Sequence, residues 1–465
     1  MSTEAKAPSR AILYALMFGP FFAMFDAGLI NVGLPVIARE FGAEMIDAQW
    51  VTSVYLLAIS ALMPIFGTLS DRIGRGRIYN LGFFTISIFT LLCGFAPNLP
   101  LLILCRVLQA VGGAMVMANG MAIATESYPA SERGRNLGLL ASMVAVGSIA
   151  GPSIGGVVIG MFGWRVAFYL TFVVSFAAFA VTFFAIPRKR RSDAGLKHFD
   201  HAGAVLFALS IFAFIYGVSG LGGQGAHAGA AHAALLVCAV AFPLLLWVER
   251  RAPWPVLDIG LFRNRVFSSA IGASVISYAT MYSPTILLPF YLQGTLGLSP
   301  QAAGLYLLSF PVAMALLSPL SGRLSDRIGS RPLAVAALVL NGLALIAFGL
   351  LTPAMPQWTI LLPLFAMGVG LGMFQSPNSS AAMGNVPREK LGAGTSLVQL
   401  TKNLGMVMGI AFSTLAFSLL MAGHDLADAQ AYLASARTVY WVAAALSFLG
   451  AWIASLRGQP AAPPR

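Results

Sequence analysis

About fourteen stretches of this chain are long and apolar enough to cross a bilayer, and little sequence is left between them. They fall into three groups: six between residues 11 and 186, two more within 187–266, and six between 267 and 456. Residues 1–10 and 457–465 are short polar ends. Hydrocarbon offers no partner for a backbone N–H or C=O, so each stretch must satisfy its own hydrogen bonds as a helix. The expected fold is an all-α integral membrane protein, with two six-helix bundles related by a pseudo-two-fold axis and two extra central helices. Twelve spans would remain if 202–248 were only peripheral. Only 9% of residues are charged, 58% are hydrophobic and mean hydropathy is +0.82. A soluble domain runs near 25% charged, and this chain could not clothe a water-facing surface.

The formal charge of +12 would suggest nucleic acid in a soluble protein. Here the basic residues crowd the loops on one side of the alternating spans, among them Arg72, Arg75, Arg77, Arg133, Arg135, Arg188 to Arg191, Arg250, Arg251, Arg323, Arg327, Arg331 and Arg388. Only Arg39, Arg165 and Arg437 fall on the other side. The bias predicts both termini in the cytoplasm of a multi-pass protein of the cell membrane, with a lipid partner and no nucleic acid. No removable signal peptide is read at the start. Cys93, Cys105 and Cys238 lie in apolar runs and predict no disulfide. None of the five histidines (His198, His201, His227, His232 and His424) has a metal-binding or nucleophile-activating spacing. No metal, cofactor or enzymatic activity is expected.

The chain repeats itself. GTLSDRIGRGR at 67–77 follows the second span, and GRLSDRIGSRP at 322–332 follows the second span of the last six; seven of the first eight positions are identical. Such a repeat marks a transporter built from two related halves. Gly67 would let helices approach closely, and Asp71 followed by Arg72, like Asp326 followed by Arg327, offers a charge lock between a loop and neighbouring helix ends. The fifth span carries Gly147, Gly151, Pro152, Gly155 and Gly156. Small residues four apart form a groove for another backbone, and the proline favours a bend.

Intramembrane charge stands out in the first and fourth spans. Asp26 is the only acidic residue placed deep in a span, and a short carboxylate there must be neutral, paired or in contact with water. Pairing with Asn31 or with a neighbouring helix is the structural alternative to a proton-binding role. Arg106 and Gln109 share a helix face three residues apart. An arginine there costs roughly 2.5–3.5 kcal/mol and faces a cavity or a partner, unless it snorkels to the interface.

Together these motifs resemble the major facilitator superfamily, and within it the fourteen-helix drug:proton antiporters of the multidrug efflux type. The loop signature is matched by Gly67, Leu69, Asp71, Arg72, Gly74, Arg75 and Arg77, and again by Gly322, Leu324, Asp326, Arg327 and Gly329. The first span matches through Asp26, Asn31, Leu34 and Pro35, departing at Gly28 and Gly33; the fourth matches through Leu102, Arg106, Gln109 and Gly112, with Ala110 in place of glycine. Trp164, Arg165 and Phe168 match the start of the sixth span, and PVLDIGLFRNRVF matches the stretch before the second half. Lys402 stands where relatives tend to carry arginine, and it could line the pore or snorkel.

The resemblance implies a proton-coupled exporter of small amphipathic or cationic compounds, with protons and the small-molecule substrate as its partners. A periplasmic adaptor is left open, and an uptake carrier of the same fold is the alternative. Asp26 would couple to protons with Arg106 tuning it, while Gly67, Asp71, Arg72, Arg75, Asp326 and Arg327 would gate the cytoplasmic face. Gly147, Gly151, Pro152, Gly155 and Gly156 form the family's antiporter motif. In this fold the first, fourth, ninth and twelfth spans line the cavity. Phe22, Phe25, Asn31, Gln109, Met115, Tyr278, Met281, Tyr282, Phe374, Gln375 and Asn378 are therefore the candidate substrate-binding residues.

Overall fold

A computed structural model describes residues 10–128, 130–186, 200–221, 226–252, 259–387 and 391–457. The basic linker after Ile186 (187–199) and residues 253–258, between the extra pair and the second half, lie outside these residues. Among the described residues the chain is almost entirely helical, with no strand. The N-terminal half comprises α1 (Arg10–Phe41), α2 (Met45–Ala48), α3 (Trp50–Ile73), α4 (Arg75–Gly94), α5 (Leu99–Ser127), α6 (Ala130–Phe162) and α7 (Trp164–Ala185). The extra pair is α8 (His201–Gly220) and α9 (Ala226–Arg251). The C-terminal half comprises α10 (Arg265–Phe290), α11 (Pro300–Leu307), α12 (Ser309–Ile328), α13 (Ser330–Gly349), α14 (Leu361–Met383), α15 (Leu391–Leu420) and α16 (Ala429–Ser455). Among the described residues thirteen helices have the length and composition of a membrane span, and α8 holds a shorter apolar stretch, Ala202–Val218.

Local chemistry sets the helix ends. Asn98 caps α5 by accepting from the Leu101 N–H at 2.9 Å, and Asn264 caps α10 by accepting from Val266 and Phe267. The repeated loops end α3 and α12 on Gly74 and Gly329, whose φ values of 108° and 85° lie in a region that L side chains resist. In both halves the second span is broken near its start, after α2 and after α11.

The halves pack by the same plan. α1 lies on α6, α3 on α5, and α4 on both α5 and α7; likewise α10 lies on α15, α12 on α14, and α13 on both α14 and α16. The halves meet along two seams, α6 against α11 and α3 against α15. α8 covers the second seam, where Ile215 and Val218 join one apolar cluster with Leu57, Val407 and Ala411. α9 packs on α8 and turns Leu236, Val240 and Trp247 outward, as α7 does with Val173 and Phe184 and α16 with Val442 and Trp452. In water these surfaces would be a liability; in lipid they are the contact layer.

Candidate functional site

α1 is held against α6 by an interlocked glycine seam. A Cβ added at Gly151 would stand 2.8 Å from the Phe25 carbonyl oxygen, one at Gly155 2.9 Å from the Leu29 Cα, and one at Gly28 2.6 Å from the Pro152 Cδ. This close approach turns Asp26 away from α6 and into the interior of its own half. There its carboxylate accepts from the Arg106 Nη1 at 2.8 Å, and both side chains are essentially without solvent exposure. The same nitrogen donates to the Gln109 Oε1 at 2.7 Å, and the Arg106 Nε donates to the Val51 carbonyl at 2.9 Å. The Gln109 amide reaches Asp26 at 3.4 Å and the Thr90 hydroxyl at 2.8 Å. The guanidinium lies 4.2 Å from the centre of the Tyr55 ring. Each contact offsets part of the cost of burying two charges, and the set explains why an intramembrane arginine is tolerated.

The pairing answers one question left open by the sequence. Asp26 is matched by a neighbouring helix, while Asn31 is half-buried and makes no side-chain hydrogen bond among the described residues. Tyr55, Thr90 and the Val51 carbonyl also belong to the site. Being neutral, they left no signal against an apolar background.

The contacts between halves that can be named all lie toward one face, away from the basic loops. The Gln293 amide donates to the Val32 carbonyl at 2.8 Å. A Cβ added at Gly156 would stand 2.7 Å from the Pro300 carbonyl oxygen, and Gly304 presses against the Pro152 carbonyl. Phe25, Leu29 and Leu34 share a continuous cluster with Tyr278, Met281, Leu287 and Tyr291. Glu40 tightens this face by accepting from the Trp164 indole at 2.6 Å and pairing with Arg165. On the basic face, by contrast, a Cβ added at Gly67 would meet nothing within 4 Å, so this glycine makes no close helix approach here. Arg75 pairs with Glu126 inside the N-terminal half at 2.9 Å. Arg327 is exposed, and the side chains of Asp71, Arg72 and Asp326 lie outside the described residues. The molecule is closed at the face opposite the basic loops.

The other candidates divide between packing and the midline. Phe22 sits edge-on to Phe83 within the N-terminal half, and Met115 lies against Gly82. Phe374 packs against Ala337 and Leu338. Asn378 donates to the Ala270 carbonyl at 3.0 Å and accepts from Arg457, whose guanidinium burial pushes down to about 10. In this conformation these four hold single halves together. Phe25, Tyr278 and Met281 join the cluster that spans both halves, Tyr282 packs against it, and Gln375 is half-buried.

The Major Facilitator Superfamily family model matches residues 16–410 and again residues 270–465. The riboflavin transporter RibZ of Clostridioides difficile (strain 630) is 32% identical over 441 residues, covering 94% of this chain and 95% of that protein. The multidrug resistance protein Stp of Mycobacterium tuberculosis (strain CDC 1551 / Oshkosh) is 30% identical over 408 residues, covering 86% and 74%. Among solved structures, the peptide transporter POT in complex with sulfate superposes with a TM-score of 0.68 at 17% identity, over 94% of each chain, a likeness of fold alone. With two packed halves, a repeated loop and a family match along nearly its whole length, this chain belongs to the Major Facilitator Superfamily of membrane transporters.

Proposed function

We propose that the protein is a proton-coupled exporter of small amphipathic compounds, one of the fourteen-helix antiporters. It works by alternating access in the cell membrane with the basic face and both termini in the cytoplasm. One observation carries the reading: the single acid deep in the membrane is paired with a buried arginine while the far face is closed. In that orientation the conformation faces the cytoplasm, where an antiporter gives up its proton and loads substrate. An ionised Asp26 bonded to Arg106 is the form expected after proton release.

A proton arriving from outside would cancel the Asp26 charge and loosen the pair. Gln109, the Val51 carbonyl and the Tyr55 ring would go on holding the guanidinium. Because the network joins α1, α3 and α5, its loosening would be felt along α1 at Gly28 and Val32, which touch α6 and the other half. Asp71, Arg72, Arg75, Asp326 and Arg327 would lock the basic face once it closes. Phe25, Asn31, Tyr278, Met281, Tyr282 and Gln375 would meet the substrate. The doubly used glycine-proline stretch of α6 and the efflux relative support export. In inverted vesicles with an imposed proton gradient, Asp26→Asn should abolish substrate accumulation although the protein still inserts. Undiminished flux would remove Asp26 from coupling.

A further inference from the structure

Away from the two faces, the described spans carry three charged side chains: Asp26, Arg106 and Lys402. The first two neutralise each other. Lys402 has no ion-pair or hydrogen-bond partner among the described residues and is half-buried. It lies eleven residues into α15 (Leu391–Leu420), about 16 Å along the helix at 1.5 Å per residue. A membrane interior does not carry an unmatched ammonium without cost.

Its position on α15 follows from the packing. α15 rests on α10 through Gly405 and Gly409, and a Cβ added at Gly405 would stand 2.6 Å from the Val275 carbonyl oxygen. Met406 packs against the cluster holding Tyr278 and Met281, which closes the far face. Lys402, four residues earlier, lies one turn below Met406 on the same side of the helix, toward the basic face. Next to it, Asn403 is 3% exposed and its Nδ2 has no acceptor. A buried amide donor left empty costs about 1–3 kcal/mol. The half-buried Gln399 lies one turn before both residues. Matching Gly405 and Gly409 to Gly151 and Gly155 places Ser148 opposite Lys402, so the helix pairing itself does not call for a lysine.

We propose that Lys402 is a substrate-binding residue, and that the cavity favours amphipathic compounds bearing an oxyanion, such as a carboxylate, over cations. This rests on the transport reading above and narrows its substrate class. The ammonium attracts the anion in a medium of low dielectric and repels a cation there. Asn403, in the same helix row as Val407 and Ala411 of the α3 seam, is sealed from solvent and adds no contact to the anion.

The test uses purified full-length protein and two dyes of one xanthene scaffold, fluorescein and the cationic rhodamine 6G, with binding read by fluorescence anisotropy at low salt. Wild type should bind fluorescein about tenfold or more tightly than rhodamine 6G. Lys402→Gln should erase the difference, Lys402→Glu should invert it, and Lys402→Arg should keep it. Thermal melting of each variant checks folding, and the arginine variant serves as the conservative control. A wild-type preference for rhodamine 6G, no fluorescein binding, or a preference unchanged in a folded Lys402→Gln protein each overturns the proposal. Binding requires no proton gradient. Charge preference without proton-driven flux would thus sink the export reading alone, and flux without charge preference would sink only this one.

Discussion

In the N-terminal half Asn80 ties α4 to α7 by donating to the Thr182 hydroxyl at 2.9 Å; in the C-terminal half Asn341 ties α10, α13 and α16 by donating to Thr280 at 2.9 Å and Ser447 at 3.1 Å. Both halves also press a glycine ridge of one helix onto another, α6 onto α1 and α15 onto α10. What they do not share is charge. The N-terminal half buries Asp26 with Arg106, while among the described residues the C-terminal half has no deep acid and carries Lys402 without a partner. Neutral ties and glycine ridges recur because both bundles face the same packing problem. The charges do not recur, and so they bear on what each half does beyond folding.

The largest expected effect comes from breaking the asymmetric element. Removing one partner of a buried pair strands the other charge and costs about 3–5 kcal/mol, whereas removing both is nearly neutral. Asp26→Asn should therefore lower the melting temperature and abolish proton-driven export. The double variant Asp26→Asn/Arg106→Gln should recover most of the stability and none of the export. Melting curves beside vesicle flux separate the two quantities. Recovery of both would reduce the pair to a structural tie like those of Asn80 and Asn341.

A second test concerns α6, which the repeat does not copy in full. Gly155 faces α1 within its half, but Gly156, one residue on, faces Pro300 of the other half. Gly156→Val should leave the N-terminal half folded and oppose closure of the far face. Overpacking costs about 1–3 kcal/mol, which shifts the closed state by roughly tenfold. With Cys93, Cys105 and Cys238 replaced by serine, a cysteine introduced at Gln301 should then react faster with an impermeant maleimide from that face. An unchanged rate would mean that the seam tolerates a side chain.

Much of this architecture can be read in the chain because bilayer thickness sets a length scale. Runs of spanning length, the basic loops between them and the duplicated GxLSDRIG segment point to paired bundles before any contact is known. Asp26 and Arg106 stand out for the same reason, as charges where charge is costly. Their union could not be read, because it joins residues 80 positions apart through the packing of α1 beside α5. Thr90 and Tyr55 carry no charge and were invisible. Asn378 resembles a pore residue by its place on α14, yet the structure gives it to Arg457 and the Ala270 carbonyl, which only a folded C-terminal half brings near.

The shared elements predict smaller and more equal effects. Asn80→Ala and Asn341→Ala each remove a donor from hydroxyls that still bond helix carbonyls, a loss of about 0.5–1.5 kcal/mol per hydrogen bond. Both should lower the melting temperature by similar amounts while proton-driven export persists in the folded fraction. A loss of coupling in one alone would show that the neutral ties are not equivalent.

The smallest effect belongs to Gly67, and its sign is informative. With nothing within 4 Å of an added Cβ, Gly67→Ala costs no contact in this conformation, and helix propensity favours alanine over glycine by about 1 kcal/mol inside a helix such as α3. The variant should melt slightly higher than wild type. Whether it also turns over more slowly depends on the state in which the basic face is closed. Closing the basic face would bring the end of α3 toward the other half, where a glycine is needed only if backbones come close. A melting gain with slower export would locate a close approach at Gly67 in the other state. A gain at unchanged export would leave the lock to the charged residues of the loops and not to a close backbone approach.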